Sequence, residues 1–298
     1  MIDHPAAFAW YELLTTDLPA AQSFYRNVIG WDAQDASTPQ FAYRVFGVRG
    51  DSVAGAMELP PEGRKKGAMP RWVGYVAVRD VDGMVDRLKH LGGTVYVPPT
   101  DSNIGRISVV ADPQTATFAL VDGLKYGGTC EAEPSEPGRV GWHELLAADA
   151  KGAFEFYHAL FGWEKPPAEV AASEAYDLFA AGGRMLGGIF TKFVATPVPF
   201  WLYYFDVADL DLAAEQVRAG GGQIAQGPIE LWDGSWIARC IDPQGAMFAL
   251  QGRRRSRATL DPSSEPASDA ALAWSASWGG ISSRGRLVGT KPKGKSRR

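Results

Sequence analysis

Residues Trp10 to Trp31, WYELLTTDLPAAQSFYRNVIGW, come back at Trp142 to Trp163 as WHELLAADAKGAFEFYHALFGW. Glu12 returns as Glu144, Asp17 as Asp149 and Gly30-Trp31 as Gly162-Trp163, each 132 positions on (144 − 12, 149 − 17, 163 − 31). No residue is gained or lost across the element. Self-similarity over this length points to a duplicated domain rather than a short solenoid repeat. Each copy reads the same way. An alternating strand leads to an Asp, whose side chain suits a helix N-cap, and the following helix ends at a Gly that accepts left-handed backbone. In the first copy Ala21, Phe24, Tyr25 and Val28 follow the i, i+3, i+4, i+7 spacing of a buried stripe.

A fainter second copy lies inside each half. WVGYVAV with Asp80 matches WLYYFDV with Asp209 at an offset of 129, and DPQTATFAL matches DPQGAMFAL at 130 (242 − 112). Both follow a strand, Asp cap, helix, Gly stop and further strands, so four such units make up the chain. Short strands are predicted around residues 42–48, 52–58 and 94–97, and the stretch LPPEGRKKGAMP is predicted to be a polar loop. The fold class expected is α+β, with domains at 1–125 and 139–252 and a Pro/Glu/Ser linker at 126–138. Residues 253–298, rich in Ser, Pro, Lys and Arg, are expected to be a disordered tail.

Charge is unevenly shared. The tail holds 11 Lys/Arg against 3 Asp/Glu, which leaves 19 against 31 in the remainder. An acidic body argues against specific nucleic-acid binding. The N-terminus has no basic segment before its apolar run and does not read as a secretory signal. No apolar run is long enough to span a bilayer. Cys130 and Cys240 make neither a disulfide framework nor a zinc pattern. The expected setting is the cytoplasm, with no membrane partner, as a monomer or homodimer.

The order of elements, the F-Y…G-W helix end and the D-P-Q before the last strand resemble the vicinal oxygen chelate superfamily, the glyoxalase, bleomycin-resistance and extradiol dioxygenase fold. The resemblance covers about residues 6–125 and 139–252 and implies two tandem glyoxalase-like domains. Each would be built of two βαβββ units whose mixed, largely antiparallel sheets curl into a cup. Fold alone does not name the chemistry, because this fold serves lyases, isomerases, oxygenases and ligand-binding proteins.

The resemblance also implies where a metal would sit. In metal-dependent members a His or Gln stands seven residues before each capping Asp, and a Glu stands in the last strand. Those positions fall here on Trp10, Val73, Trp142, Leu202, Ala119 and Ala249. None has an imidazole, carboxylate or thiolate to offer a divalent ion. No metal and no other cofactor is therefore expected. The alternative is a bulge that turns His143, next to Trp142, into the cup; an ordinary surface or packing histidine is the preferred reading.

If Trp10 and Trp142 face inward, alternation turns Glu12 and Glu144 inward as well, with Tyr75, Tyr204 and Asp206 on the facing strands. A mostly apolar cup with few polar groups is the usual form of a small-molecule site. The expected ligand is small and apolar or aromatic, bound by Trp10, Trp142, Tyr75, Tyr204 and Asp206. The alternative is a lyase, isomerase or hydroxylase/dioxygenase-like enzyme with Glu12 or Glu144 as general base. A purely structural carboxylate is the competing reading for both Glu residues.

Overall fold

The computed structural model describes residues 6–65, 67–127, 136–166, 176–192, 198–231 and 234–254. Most of the predicted linker and all of the tail beyond Arg254 lie outside the described residues. The first half runs β1 (Phe8–Thr15), α1 (Leu18–Ile29), β2 (Asp32–Asp35), β3 (Tyr43–Val48), β4 (Asp51–Glu58), α2 (Pro61–Lys65), β5 (Arg71–Ala77), α3 (Val81–His90), β6 (Thr94–Asp101), β7 (Arg106–Ala111) and β8 (Thr117–Asp122). The second runs β9 (Val140–Ala147), α4 (Ala150–Phe161), β10 (Tyr176–Ala181), β11 (Arg184–Thr191), β12 (Phe200–Val207), α5 (Leu210–Ala219), β13 (Gln223–Glu230), β14 (Trp236–Ile241) and β15 (Met247–Gly252).

Each half forms its own mixed sheet. The orders are β2-β3-β4-β1-β5-β8-β7-β6 and β10-β11-β9-β12-β15-β14-β13. The two units of a half meet at the middle of the sheet, where β1 runs antiparallel to β5 and β9 to β12. Within a unit the first strand pairs in parallel with the last, β1 with β4 and β5 with β8. This is the expected α+β architecture of two tandem glyoxalase-like domains. The stretch predicted as a polar loop after β4 instead contains the short helix α2. β6 runs on past Val97 to Asp101. Being an edge strand with an irregular register, it tolerates Pro98 and Pro99, which cannot donate to a ladder. Among the described residues of the second half the place of β2 is taken by Glu164, which makes a single bridge to Ala180.

The Asp caps act as the sequence predicts. Asp17 accepts from the Ala20 amide at 2.9 Å and Asp80 from Gly83 at 3.0 Å. Asp149 and Asp209 cap α4 and α5 in the same way. Gly30 and Gly162 end their helices at φ of 86° and 75°, the left-handed backbone that favours glycine.

The helix-bearing faces of the two sheets pack on one another, and a single apolar core runs through both halves. It includes Phe24, Tyr25, Trp31, Trp72 and Phe118 from one, and Phe156, Tyr157, Trp163, Trp201 and Phe248 from the other. Each buried Phe side chain contributes about 1.5–3 kcal/mol. Polar ties across this core occur in matched pairs. The Trp31 indole donates to the Gly138 carbonyl at 2.7 Å, and Trp163 to Ala6 at 2.7 Å. Tyr25 donates to Asp242 at 3.0 Å, and Tyr157 to Asp112 at 3.1 Å. The repeated D-P-Q motif therefore locks each half to the helix of the other. Trp72 and Trp201 donate to those same two tyrosines. No helix among the described residues is long and apolar enough to cross a membrane.

Candidate functional site

The opposite face of each sheet carries a separate apolar cluster, and these are the two cups. The first holds Trp10, Tyr43, Val45, Val73, Tyr75, Ile104, Ala119 and Val121. The second holds Leu146, Tyr176, Leu178, Phe190, Leu202, Tyr204 and Ala249, with Trp142 against it. All six positions where the resemblance puts metal ligands thus face a cup. Trp10 stands opposite Tyr75 and Glu12 opposite Val73, and Trp142 stands opposite Tyr204 and Glu144 opposite Leu202.

In the first cup both oxygens of Glu12 are taken. Tyr43 donates to Oε1 at 2.8 Å and Tyr75 to Oε2 at 2.6 Å. Burial raises the pKa of Glu12, and the hydrogen bonds from Tyr75 and Tyr43 offset only part of that rise. The Tyr43 hydroxyl lies over Gly55, where a Cβ would run into it. The Trp10 indole N–H is buried without a hydrogen-bond partner among the described residues.

The second cup repeats this plan and adds charge. Tyr204 donates to Glu144 Oε2 at 2.8 Å, while Tyr176 reaches Oε1 only at 3.4 Å. Trp142 donates to the Tyr176 hydroxyl at 3.0 Å. The Arg239 guanidinium pairs with Glu144 Oε2 at 2.6 Å and also donates to Tyr204 at 3.1 Å and to Gln226 at 2.9 Å. Burial works against the Arg239 charge, but the neighbouring Glu144 and Tyr204 outweigh it and raise its pKa. Arg239 is on β14, three strand spacings from β9, a distance of about 14 Å on a flat sheet. The contact with Glu144 exists because the sheet curls.

Sequence reasoning placed Trp10, Glu12 and Tyr75 together, and Trp142, Glu144 and Tyr204 together, and the geometry has both sets. Asp206 sits apart from its set. It is buried at the end of the β12 row, where its carboxylate fills the space left by the missing Cβ of Gly141, the extra residue of a β9 bulge. Tyr43, Tyr176, Arg239 and Gln226 were missed. The two tyrosines had a signal, since each opens its strand and follows an Ala in the sequence (residues 42–43 and 175–176). Arg239 and Gln226 had none, because Val109 and Val97 hold their places in the first sheet.

The bulge alternative for His143 is overturned. Its side chain lies on the helix-bearing face, with Nε2 2.6 Å from the Tyr11 hydroxyl and Nδ1 2.7 Å from the Leu186 carbonyl. The β9 bulge falls at Gly141 and leaves His143 in regular alternation with Trp142 and Glu144.

The donor set of the cups does not fit a divalent ion. Each offers one central carboxylate already bonded to tyrosines, and among the described residues no three His, Cys, Asp or Glu side chains converge. Cys240 is buried, and burial pushes its thiol up to about 12, which suits packing rather than ligation.

The sequence profile described as "Glyoxalase/Bleomycin resistance protein/Dioxygenase superfamily" matches residues 2–120 and 139–250. The chain is 34% identical over 244 residues to "Putative glyoxylase CFP32" of Mycobacterium tuberculosis, covering 81% of this chain and 92% of the relative. It is 30% identical over 265 residues to "Anthracycline biosynthesis protein DnrV" of Streptomyces peucetius, covering 83% and 93%. Among solved structures, the Mn(II)-bound glyoxalase from Novosphingobium aromaticivorans superposes with a TM-score of 0.56 at 16% identity, covering 84% of this chain and 82% of that one. At that identity the likeness is one of fold.

Proposed function

The chain belongs to the glyoxalase/bleomycin resistance protein/dioxygenase superfamily, and we propose that it binds a small, largely apolar or aromatic molecule on a cup face, without the divalent ion of its metal-dependent relatives. One observation carries the reading: a buried carboxylate ringed by tyrosine hydroxyls stands in a row of aromatic and aliphatic side chains, where that fold would place metal ligands. The apolar row supplies affinity, and the carboxylate with its tyrosines fixes one polar group of the ligand. The names of the two relatives, a glyoxylase and an anthracycline biosynthesis protein, both belong to small-molecule chemistry.

A second reading is favoured by the ion pair in the second cup. On this reading Glu144, held by Arg239 and Tyr204, would serve as a general base for a lyase, isomerase or hydroxylase-like reaction on a ligand lying over Trp142. Glu144→Gln separates the two readings. A binding protein keeps most of its affinity, whereas an enzyme keeps binding and loses turnover by roughly 10² or more.

The experiment is a melting screen of the full chain against apolar, aromatic and strongly polar compounds. Ligands from the first two groups should raise the midpoint by mass action. Stabilisation by strongly polar compounds alone would contradict the proposal.

A further inference from the structure

The two cups are unequal, and the inequality falls at equivalent positions. In the first, the chain's own side chains close the face. Tyr126 stacks on Trp10 with ring centroids 5.7 Å apart, and Ile104 and Leu124 pack beside it. A backbone hydrogen bond from Lys125 to the Ile104 carbonyl, at 2.9 Å, ties the two covering segments together. Trp10 is left with no exposed surface.

In the second half the residues in the places of Lys125 and Tyr126 lie outside the described residues. Arg254, in the place of Leu124, turns away to pair with Asp211 at 2.7 Å and lies over Trp236. Trp142 is only half-buried. The polar equipment also differs. Val97, Val109, Ala77 and Val121 of the first sheet are Gln226, Arg239, Asp206 and Gln251 in the second. Both oxygens of Glu12 accept tight hydrogen bonds, but in the second cup only Oε2 of Glu144 does. Arg239 and Tyr204 both converge on Oε2, and Oε1 receives the single long contact from Tyr176.

Resting on the proposed function, we infer that the second cup alone is the ligand site, and that its ligand is a planar aromatic compound bearing a hydroxyl hydrogen-bond donor. The ring stacks on the half-buried Trp142, and the hydroxyl donates to Oε1 of Glu144. Arg239 holds the other oxygen in an ion pair. The first cup is a packed copy of the same plan, with Tyr126 stacked on Trp10 in the ring's place.

Calorimetry of the full chain with 2-naphthol and 2-methoxynaphthalene tests this, since the two differ in donor ability at nearly the same shape. The expected result is one equivalent of 2-naphthol per chain, bound at least about tenfold tighter than the methoxy compound, as a charge-assisted hydrogen bond warrants. Trp142→Leu should weaken binding by roughly threefold or more, and Trp10→Phe by less than about twofold. The stoichiometry and the donor ratio are read on the unaltered protein, so they stand even if a variant folds poorly. Two equivalents per chain, equal affinity for both compounds, or loss of binding on Trp10→Phe alone would overturn the inference while leaving the proposed function intact. Failure of both compounds to bind at about 1 mM would also overturn it. The proposed function itself falls if the melting screen finds no apolar or aromatic ligand of any shape.

Discussion

The Tyr11 hydroxyl lies 2.6 Å from Nε2 of His143, and these two residues hold the same place in the two halves, 132 positions apart. Equivalent residues touch only near the axis that relates the halves. Tyr203 meets its counterpart Gly74 there too, accepting from the Gly74 amide at 2.7 Å. At both points the repeat has diverged so that unlike groups fit together. A tyrosine faces a histidine, and a second tyrosine fills the space a Cβ at residue 74 would need.

His143 donates through Nδ1 to the Leu186 carbonyl, so Nε2 is the acceptor for Tyr11. Burial pulls its pKa down to about 4, only partly offset by that carbonyl. A histidine depressed in the folded state contributes stability above its unfolded pKa near 6.5 and loses it as pH falls toward 4, where the loss reaches about 3 kcal/mol. The stability advantage of the unaltered protein over His143→Gln should therefore shrink between pH 7 and pH 4. Denaturant titrations at several pH values check it, and an advantage that grows on acidification would contradict the assignment.

Tyr25→Phe should destabilise the fold by about 1–3 kcal/mol, because buried Asp242 and the Trp72 indole both lose a partner. Tyr157→Phe should have a similar effect through Asp112 and Trp201. Urea unfolding measures both. A negligible change in either would mean that the ties across the core are not structural.

Gly55→Ala places a methyl group where the Tyr43 hydroxyl lies, and Gly188→Ala does the same to the Tyr176 ring. Each should destabilise by roughly 1–3 kcal/mol, the usual range for overpacking. Only Gly188→Ala should also weaken ligand binding, since Tyr176 belongs to the second cup. Melting and calorimetry on the same samples separate the two effects.

Metal analysis of purified protein should find far less than one equivalent of Zn, Mn, Ni or Fe per chain. A full equivalent that disappears on Glu144→Ala would contradict the reading of the donor set and favour the enzyme class.

The repeat, the helix caps and the inward row of Trp10, Glu12, Trp142 and Glu144 were legible because alternation and capping are local rules. Tyr43 and Tyr176 needed knowledge of which strand lies two places across the sheet, although their recurrence in the repeat was visible. Arg239 was beyond reach, since only the curl of the sheet brings β14 over β9 and no equivalent residue marks it. That His143 is a packing residue was legible from alternation, since Trp142 and Glu144 on either side of it take the cup positions. Its true partner, Tyr11, is found only once the two halves are packed together. The five-residue helix α2 offers too short a pattern for periodicity to register.

The central claim is that a small molecule sits on a cup face, against the tryptophan and the tyrosine-bonded carboxylate. It is tested most directly by two-dimensional NMR of the indole N–H groups as an aromatic ligand from the melting screen is added. The account predicts that the Trp142 indole, now bonded to Tyr176, shifts strongly and saturably, while Trp31, Trp72, Trp163 and Trp201 in the shared core stay in place. Shifts confined to those core tryptophans, with the Trp142 indole unmoved at saturation, would contradict it.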